Sequence, residues 1–394
     1  MLGGSLSFTE TPSNPLRAPC IGFIGSCMRM TTHSVNSGRR YELIPQARVY
    51  DDLRFQWVPH LMYTNPQSYR SDVCNTDEHG FRLTYKGGLA LDFDGFQQAA
   101  GPKALLCGAS TVFGVGASSD AATIASVLNR DCAETWFNFG ALAHTSTQEL
   151  LMYLLFRPKA DRVVILSGIN NLTIHTWSPF YSSVYGSIFG QSLFQILNRI
   201  GSHREYLQYL SSRVLDQVKQ RLRRALPFSS PVAAAGAAID QEERYRSSLA
   251  ILSRDLDTWA VLRDQLGFSL TFILQPISVW MNKNHSPEEE ELIGQLDAAG
   301  RRQWGEAGSP IQKYLTDVYP RYRDDVQRIC QTREIQWMDI NHEMPKDGWL
   351  FCDRTHLTDK GQEIAAGIIK STTLDDGADR SSAAGAGQSQ TPEN

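Results

Sequence analysis

From residue 103 to about residue 340, five short apolar or β-branched runs alternate with longer segments of helical periodicity. This alternation constrains the fold more than any other feature of the chain. The runs are "KALLCG", "TWFNFG", "RVVILSG", "FSLTFILQP" and "IQWMDI", and helix-like stretches such as "STQELLMYLLFRP" and "IQKYLTDVYPRYRDDVQRIC" lie between them. Strands that alternate with helices predict a parallel sheet covered by helices on both faces. The fold expected is therefore α/β, with a five-stranded parallel sheet in a flavodoxin-like three-layer α/β/α core.

Two stretches interrupt the alternation and are read as insertions, at about 171–240 and 277–308. The first carries the aromatic run "WSPFYSSVYGSIFGQSLF", which either lines an apolar pocket or forms a satellite core. It continues into a basic helical segment, which reads as a solvated face. The second holds "SPEEEELIGQLDAAG", where Ser286 and Pro287 are suited to start a helix. Residues 1–100 contain short β-like pieces separated by Pro, Asn and Gly, an irregular β-rich extension. Residues 101–371 form the expected α/β domain, and 372–394 have too little to bury and are expected to be disordered.

At 394 residues the chain can hold two domains or one large domain with insertions, and 42% hydrophobic residues supply a sizeable core. A net charge of −4 gives no reason to expect nucleic acid as a partner. Neither a secretory leader nor a membrane span is recognisable, so stable membrane insertion is not expected and a cytoplasmic location is the default. The seven cysteines are scattered without a CxxC pair, and no histidine spacing suggests a metal site. No cofactor is implied.

Ligands of doubly wound sheets bind beyond the carboxyl ends of the strands. There the sequence places Gly108-Ala109-Ser110, Asn138-Phe139-Gly140, Gly168-Ile169-Asn170 and, after the fifth run, Asp353-Arg354-Thr355-His356. Singly, each has an ordinary explanation: a helix cap for Ser110, a turn for Gly140, a cap for Asn170. Jointly they supply the parts of nucleophilic catalysis. A serine hydroxyl needs a base to take its proton, and the base needs an acceptor on its other nitrogen. Three residues apart, Asp353 and His356 share one face of a turn. The Ser110 amide, the Gly140 amide and the Asn170 side-chain amide would serve a developing oxyanion.

These blocks, in this order, resemble the SGNH (GDSL-like) hydrolase superfamily, in a bacterial-type form with an N-terminal extension and a large insertion. "STVFGVGASSDAATIASVLN", "HLTDKGQEIAAGII", "FILQP" and the lead-in "CNTDEHGFR" carry the likeness in the flanking sequence. The resemblance implies Ser110 as nucleophile, Asp353 and His356 as its partners, and Ser110, Gly140 and Asn170 as the oxyanion hole. It departs from the family at Ala109, where an aspartate is usual. An α/β-hydrolase fits less well, because its Gly-x-Ser-x-Gly elbow has Val112 in the last position here. A second Asp-x-x-His, Asp339 to His342, competes with the last block but lacks the "LTxxG" that follows His356. Trp177, Phe180, Tyr181, His144 and His175 are candidates for lining the substrate site.

Three functions fit this reading. The first is an esterase or deacylase that passes through an acyl-serine on a small-molecule acyl ester. The second is an acyltransferase with the same machinery, and the third a catalytically silent binding or regulatory protein.

Overall fold

The computed structural model of the chain describes residues 37–178, 182–189, 240–304 and 310–384. Its centre is a five-stranded, all-parallel sheet built from β5 (Lys103–Gly108), β6 (Thr135–Gly140), β7 (Arg162–Ser167), β8 (Ser269–Leu274) and β9 (Gln336–Asp339). Their order is β6-β5-β7-β8-β9, the flavodoxin-like pattern in which the chain reverses direction across the sheet beside the first core strand. Residues alternate between the faces. Leu105 and Cys107 of β5 join one buried cluster, and Ala104 and Leu106 join another. That two-sided burial is why these strands read as near-continuous apolar runs.

The first cluster is covered by α6 (Ser146–Phe156), α7 (Ile169–Trp177), α8 (Gln241–Leu266) and α10 (Pro310–Gln331). The second is covered by α5 (Ile124–Asp131) and α12 (Asp359–Ala384). The insertion helix α9 (Pro287–Trp304) starts where Ser286 and Pro287 suggested. The Ser286 hydroxyl accepts from the Glu289 amide at 3.3 Å while Glu289 accepts from the Ser286 amide at 2.9 Å, a reciprocal cap.

The N-terminal segment differs from the β-rich extension expected. Two helices, α1 (Ser37–Leu43) and α2 (Ala47–Asp52), precede hairpins β1 (Gln56–Val58) with β2 (Met62–Thr64) and β3 (Thr84–Lys86) with β4 (Leu89–Leu91), and α3 (Phe93–Gln98) follows. The segment also shares the sheet's own core: Phe81 stacks on Phe139 at 4.6 Å and Phe96 on Phe137 at 4.9 Å. At the other end, α12 runs to Ala384, past the residue 371 at which order was expected to stop. Ile369 and Thr373 are fully buried on it. Five cysteines among the described residues are free thiols. No helix among the described residues is long and apolar enough to cross a membrane.

Candidate active site

Strand β5 ends at Gly108, and the chain turns at once into a one-turn helix, α4 (Ser110–Phe113). The turn needs a glycine: a Cβ on Gly108 would sit 2.3 Å from the Leu166 carbonyl oxygen of the neighbouring strand. Ser110 heads the helix half-buried, while Ala109 beside it is buried in the position where a carboxylate had been looked for.

The last block approaches from the far end of the chain. His356 Nε2 lies 2.9 Å from Ser110 Oγ, and His356 Nδ1 lies 2.7 Å from Asp353 Oδ2. With the Nδ1 proton given to the carboxylate, Nε2 is left to accept from the hydroxyl. The other oxygen of Asp353 accepts from the Thr355 and His356 amides at 2.8 and 2.9 Å. Burial works against the Asp353 charge, but the facing imidazole and these amides outweigh it and hold the carboxyl well below the usual carboxylate range. The loop is tied to the nucleophile helix a second time, by Thr111 Oγ1, which donates to the Thr355 carbonyl at 3.4 Å and accepts from Gln275 Nε2 at 3.0 Å.

The competing pair is occupied elsewhere. Asp339 caps the short helix α11 (Ile340–Glu343) through the Asn341 amide and accepts from Tyr319 Oη at 2.6 Å, and His342 is largely exposed.

Among the expected oxyanion donors the structure makes a distinction. Asn170, in the first turn of α7, donates from Nδ2 to the His144 carbonyl at 2.8 Å and has a second N–H on the same nitrogen. The Gly140 amide is engaged internally: it donates to Asn138 Oδ1 at 3.0 Å. Glycine is required there because a Cβ would fall 2.3 Å from the Phe113 amide nitrogen. Gly140 thus lets β6 pack against α4, and the expectation that its amide faces the oxyanion is corrected. Sequence reasoning overlooked Ala143 in the loop that follows, a non-glycine residue at φ 56° whose carbonyl accepts from Tyr63 Oη at 2.8 Å. Its amide has no hydrogen-bond partner among the described residues. An alanine gives no outward sign of a left-handed backbone, so nothing in the sequence pointed to it.

His144 is fully buried, with Nε2 donating to the Tyr63 carbonyl at 3.0 Å, and burial pulls its pKa down to about 4. His175 is likewise lowered to about 4, by burial and by Arg244. It lines a cavity of about 170 Å³ together with His60, Thr147, Gln148, Asn171 and Tyr185, and none of Ser110, Asp353 and His356 borders that cavity. Trp177 closes α7, and Phe180 and Tyr181 lie outside the described residues, as does the basic helical segment of the first insertion. Among the described residues no group of three or more His, Cys, Asp or Glu side chains is placed to hold a metal ion.

Comparison with known proteins adds likenesses of fold. No protein-family model matches the chain, and no curated protein does. Among solved structures, it is similar to an extracellular lipase from Streptomyces rimosus at 12% identity and a TM-score of 0.37, covering 69% of this chain and 100% of that one. A GDSL-like lipase from Bacteroides thetaiotaomicron matches at 12% identity and a TM-score of 0.36, over 70% of this chain and 92% of that one. An acetyl xylan esterase matches at 12% identity and a TM-score of 0.35, over 69% and 99%.

Proposed function

We propose that this chain is a serine-dependent hydrolase of acyl esters. The observation that carries the reading is the hydrogen-bonded series from Ser110 Oγ through His356 to Asp353, at 2.9 and 2.7 Å. Ser110 attacks the acyl carbonyl carbon as His356 Nε2 takes the hydroxyl proton. The resulting imidazolium is stabilised by Asp353 and returns its proton to the departing alcohol, leaving an acyl-serine. Water, deprotonated by the same nitrogen, then attacks the acyl carbon, and Ser110 is regenerated with its proton.

The oxyanion is assigned to the Ser110 amide at the head of α4, to the second N–H of Asn170 Nδ2 and to the Ala143 amide. The Gly140 amide is already bonded to Asn138 Oδ1, whereas the Ala143 amide has no hydrogen-bond partner among the described residues, which supports this set over one that includes Gly140. Ser110 is only half-buried, so water has a route to the acyl group. That favours hydrolysis over transfer to another acceptor. An intact series of three hydrogen bonding groups also argues against a silent binding protein.

The test is incubation with a fluorophosphonate followed by peptide mass spectrometry, alongside hydrolysis of p-nitrophenyl acetate. A single adduct on Ser110, with both adduct and hydrolysis lost in Ser110→Ala, is expected. An adduct on another residue, or hydrolysis that survives Ser110→Ala, would overturn the reading.

A further inference from the structure

We propose that Arg82, contributed by the N-terminal segment, is a positioning residue for Ser110. The inference rests on the reading of Ser110 as the nucleophile. Arg82 never approaches the serine itself; it acts on the opposite end of the helix that Ser110 heads.

That helix cannot fix its own direction. Four residues long, α4 is closed by the Phe113 amide on the Ala109 carbonyl at 2.9 Å and by the Gly114 and Val115 amides on the Ser110 carbonyl, both at 3.0 Å. A single turn is unfavourable to form in isolation, so its axis is set by whatever binds its ends. At the carboxyl end the Val112 carbonyl accepts from Asn138 Nδ2 at 2.8 Å, and the Phe113 and Gly114 carbonyls converge on a fully buried guanidinium. Arg82 Nη1 donates to the Gly114 carbonyl at 2.8 Å and the Phe113 carbonyl at 3.1 Å, and reaches Tyr50 Oη at 2.9 Å. Nη2 donates to the Val73 carbonyl at 2.7 Å, and Nε to Asp120 Oδ1 at 2.7 Å.

Every partner is itself anchored. Asp120 accepts from the Asn75 amide and side chain at 3.1 and 2.7 Å. Tyr50 Oη donates to the Ala117 carbonyl at 2.6 Å, three residues beyond Gly114. Positive charge at a helix carboxyl end is favourable, and a planar fork with donors in fixed directions holds several carbonyls in register. Lysine would supply the same charge to Asp120 from one flexible point. A mere counter-ion tolerates that exchange, whereas a device that aims α4 does not.

The experiment compares Arg82→Lys with the wild type, and adds Arg82→Met/Asp120→Asn, which strands no buried charge if the lysine variant fails to fold. Three quantities are measured: p-nitrophenyl acetate kinetics, the rate of fluorophosphonate labelling at Ser110, and amide hydrogen exchange of the peptide covering 109–117. The variants are expected to melt cooperatively and keep KM within about twofold. They should lose kcat and labelling rate by about 10²-fold, the scale of a 1 Å misplacement, with faster exchange confined to 109–117. Wild-type labelling and unchanged exchange in that peptide would make Arg82 a counter-ion alone and refute the proposal. Wild-type protein that takes no label would overturn the hydrolase reading and this proposal together, and the exchange data distinguish the two failures.

Discussion

Breaking the buried ion pair between Lys283 and Glu289 offers a quantitative test of how the insertion supports the site. Lys283 Nζ and Glu289 Oε2 lie 2.6 Å apart with both side chains fully buried. The other glutamate oxygen accepts from the Leu350 and Phe351 amides at 2.8 and 2.9 Å, and Lys283 donates to the Gly348 carbonyl. The pair therefore fastens the root of the loop that carries Asp353 and His356. Glu289→Gln keeps an oxygen for the two amides but leaves a buried ammonium without its counter-charge, at a cost of about 3–5 kcal/mol. At about 1–2 °C per kcal/mol for a chain of this size, the melting temperature should fall by roughly 3–10 °C. Lys283→Met/Glu289→Gln removes the stranded charge and should recover much of that loss. Urea and thermal unfolding of both single variants and the double variant supply the cycle. A double variant no more stable than Glu289→Gln would refute the argument, because the loss would then lie in packing rather than in uncompensated charge.

Other expectations follow from the same geometry. Asn170→Ala should fold normally and lower turnover by about 10²–10³, the usual loss for one oxyanion donor; a markedly lower melting temperature with unchanged turnover would make Asn170 a purely structural residue. Asp353→Asn should lower kcat by about 10⁴ with the His356 side chain still present, since the amide favours the wrong imidazole tautomer; steady-state kinetics beside a melting curve checks this. Glu149, buried under Ser167, has its pKa pushed up to about 8 by burial. Between its ordinary value and 8 the folded chain holds a proton that the unfolded chain releases, so this contribution is full below about pH 4.5 and is lost as pH rises through 8. Glu149→Gln should flatten the decline in melting temperature between pH 5 and 8.5, and an unchanged slope would reject the assignment.

The strands were legible because burial on both faces writes itself directly into consecutive residues. The runs around Val163 to Leu166 and Leu270 to Leu274 could scarcely be anything else. Ser286 and Pro287 marked a helix start because a cap is a local interaction. Elsewhere the deciding partner was remote in sequence. "ARVYDD" is a helix with Ala47 and Tyr50 buried three residues apart, yet its β-branched and aromatic residues read as strand. Gly140 was legible as a glycine that must be a glycine, but not the acceptor of its amide, because close packing and an oxyanion role ask for the same residue type. Asp353 and Asp339 each precede a histidine by three residues; the "LTxxG" after His356 favoured the first pair, and the fold sets His356 beside Ser110. Arg82 closes the lead-in "CNTDEHGFR", but what it holds was not legible, since its partners at Phe113, Gly114 and Asp120 lie 31 to 38 residues away.

The hydrogen bond between Ser110 and His356 spans 246 positions of the chain. During synthesis at about 5–20 residues per second, the serine is added to the chain roughly 12–50 s before its base exists. In that interval β6, β7, β8 and β9 are all made, but the hydroxyl lacks the imidazole that takes its proton. Nascent and truncated chains that end short of His356 should thus be inert towards the esters around them, and reactivity would begin only when the final loop docks.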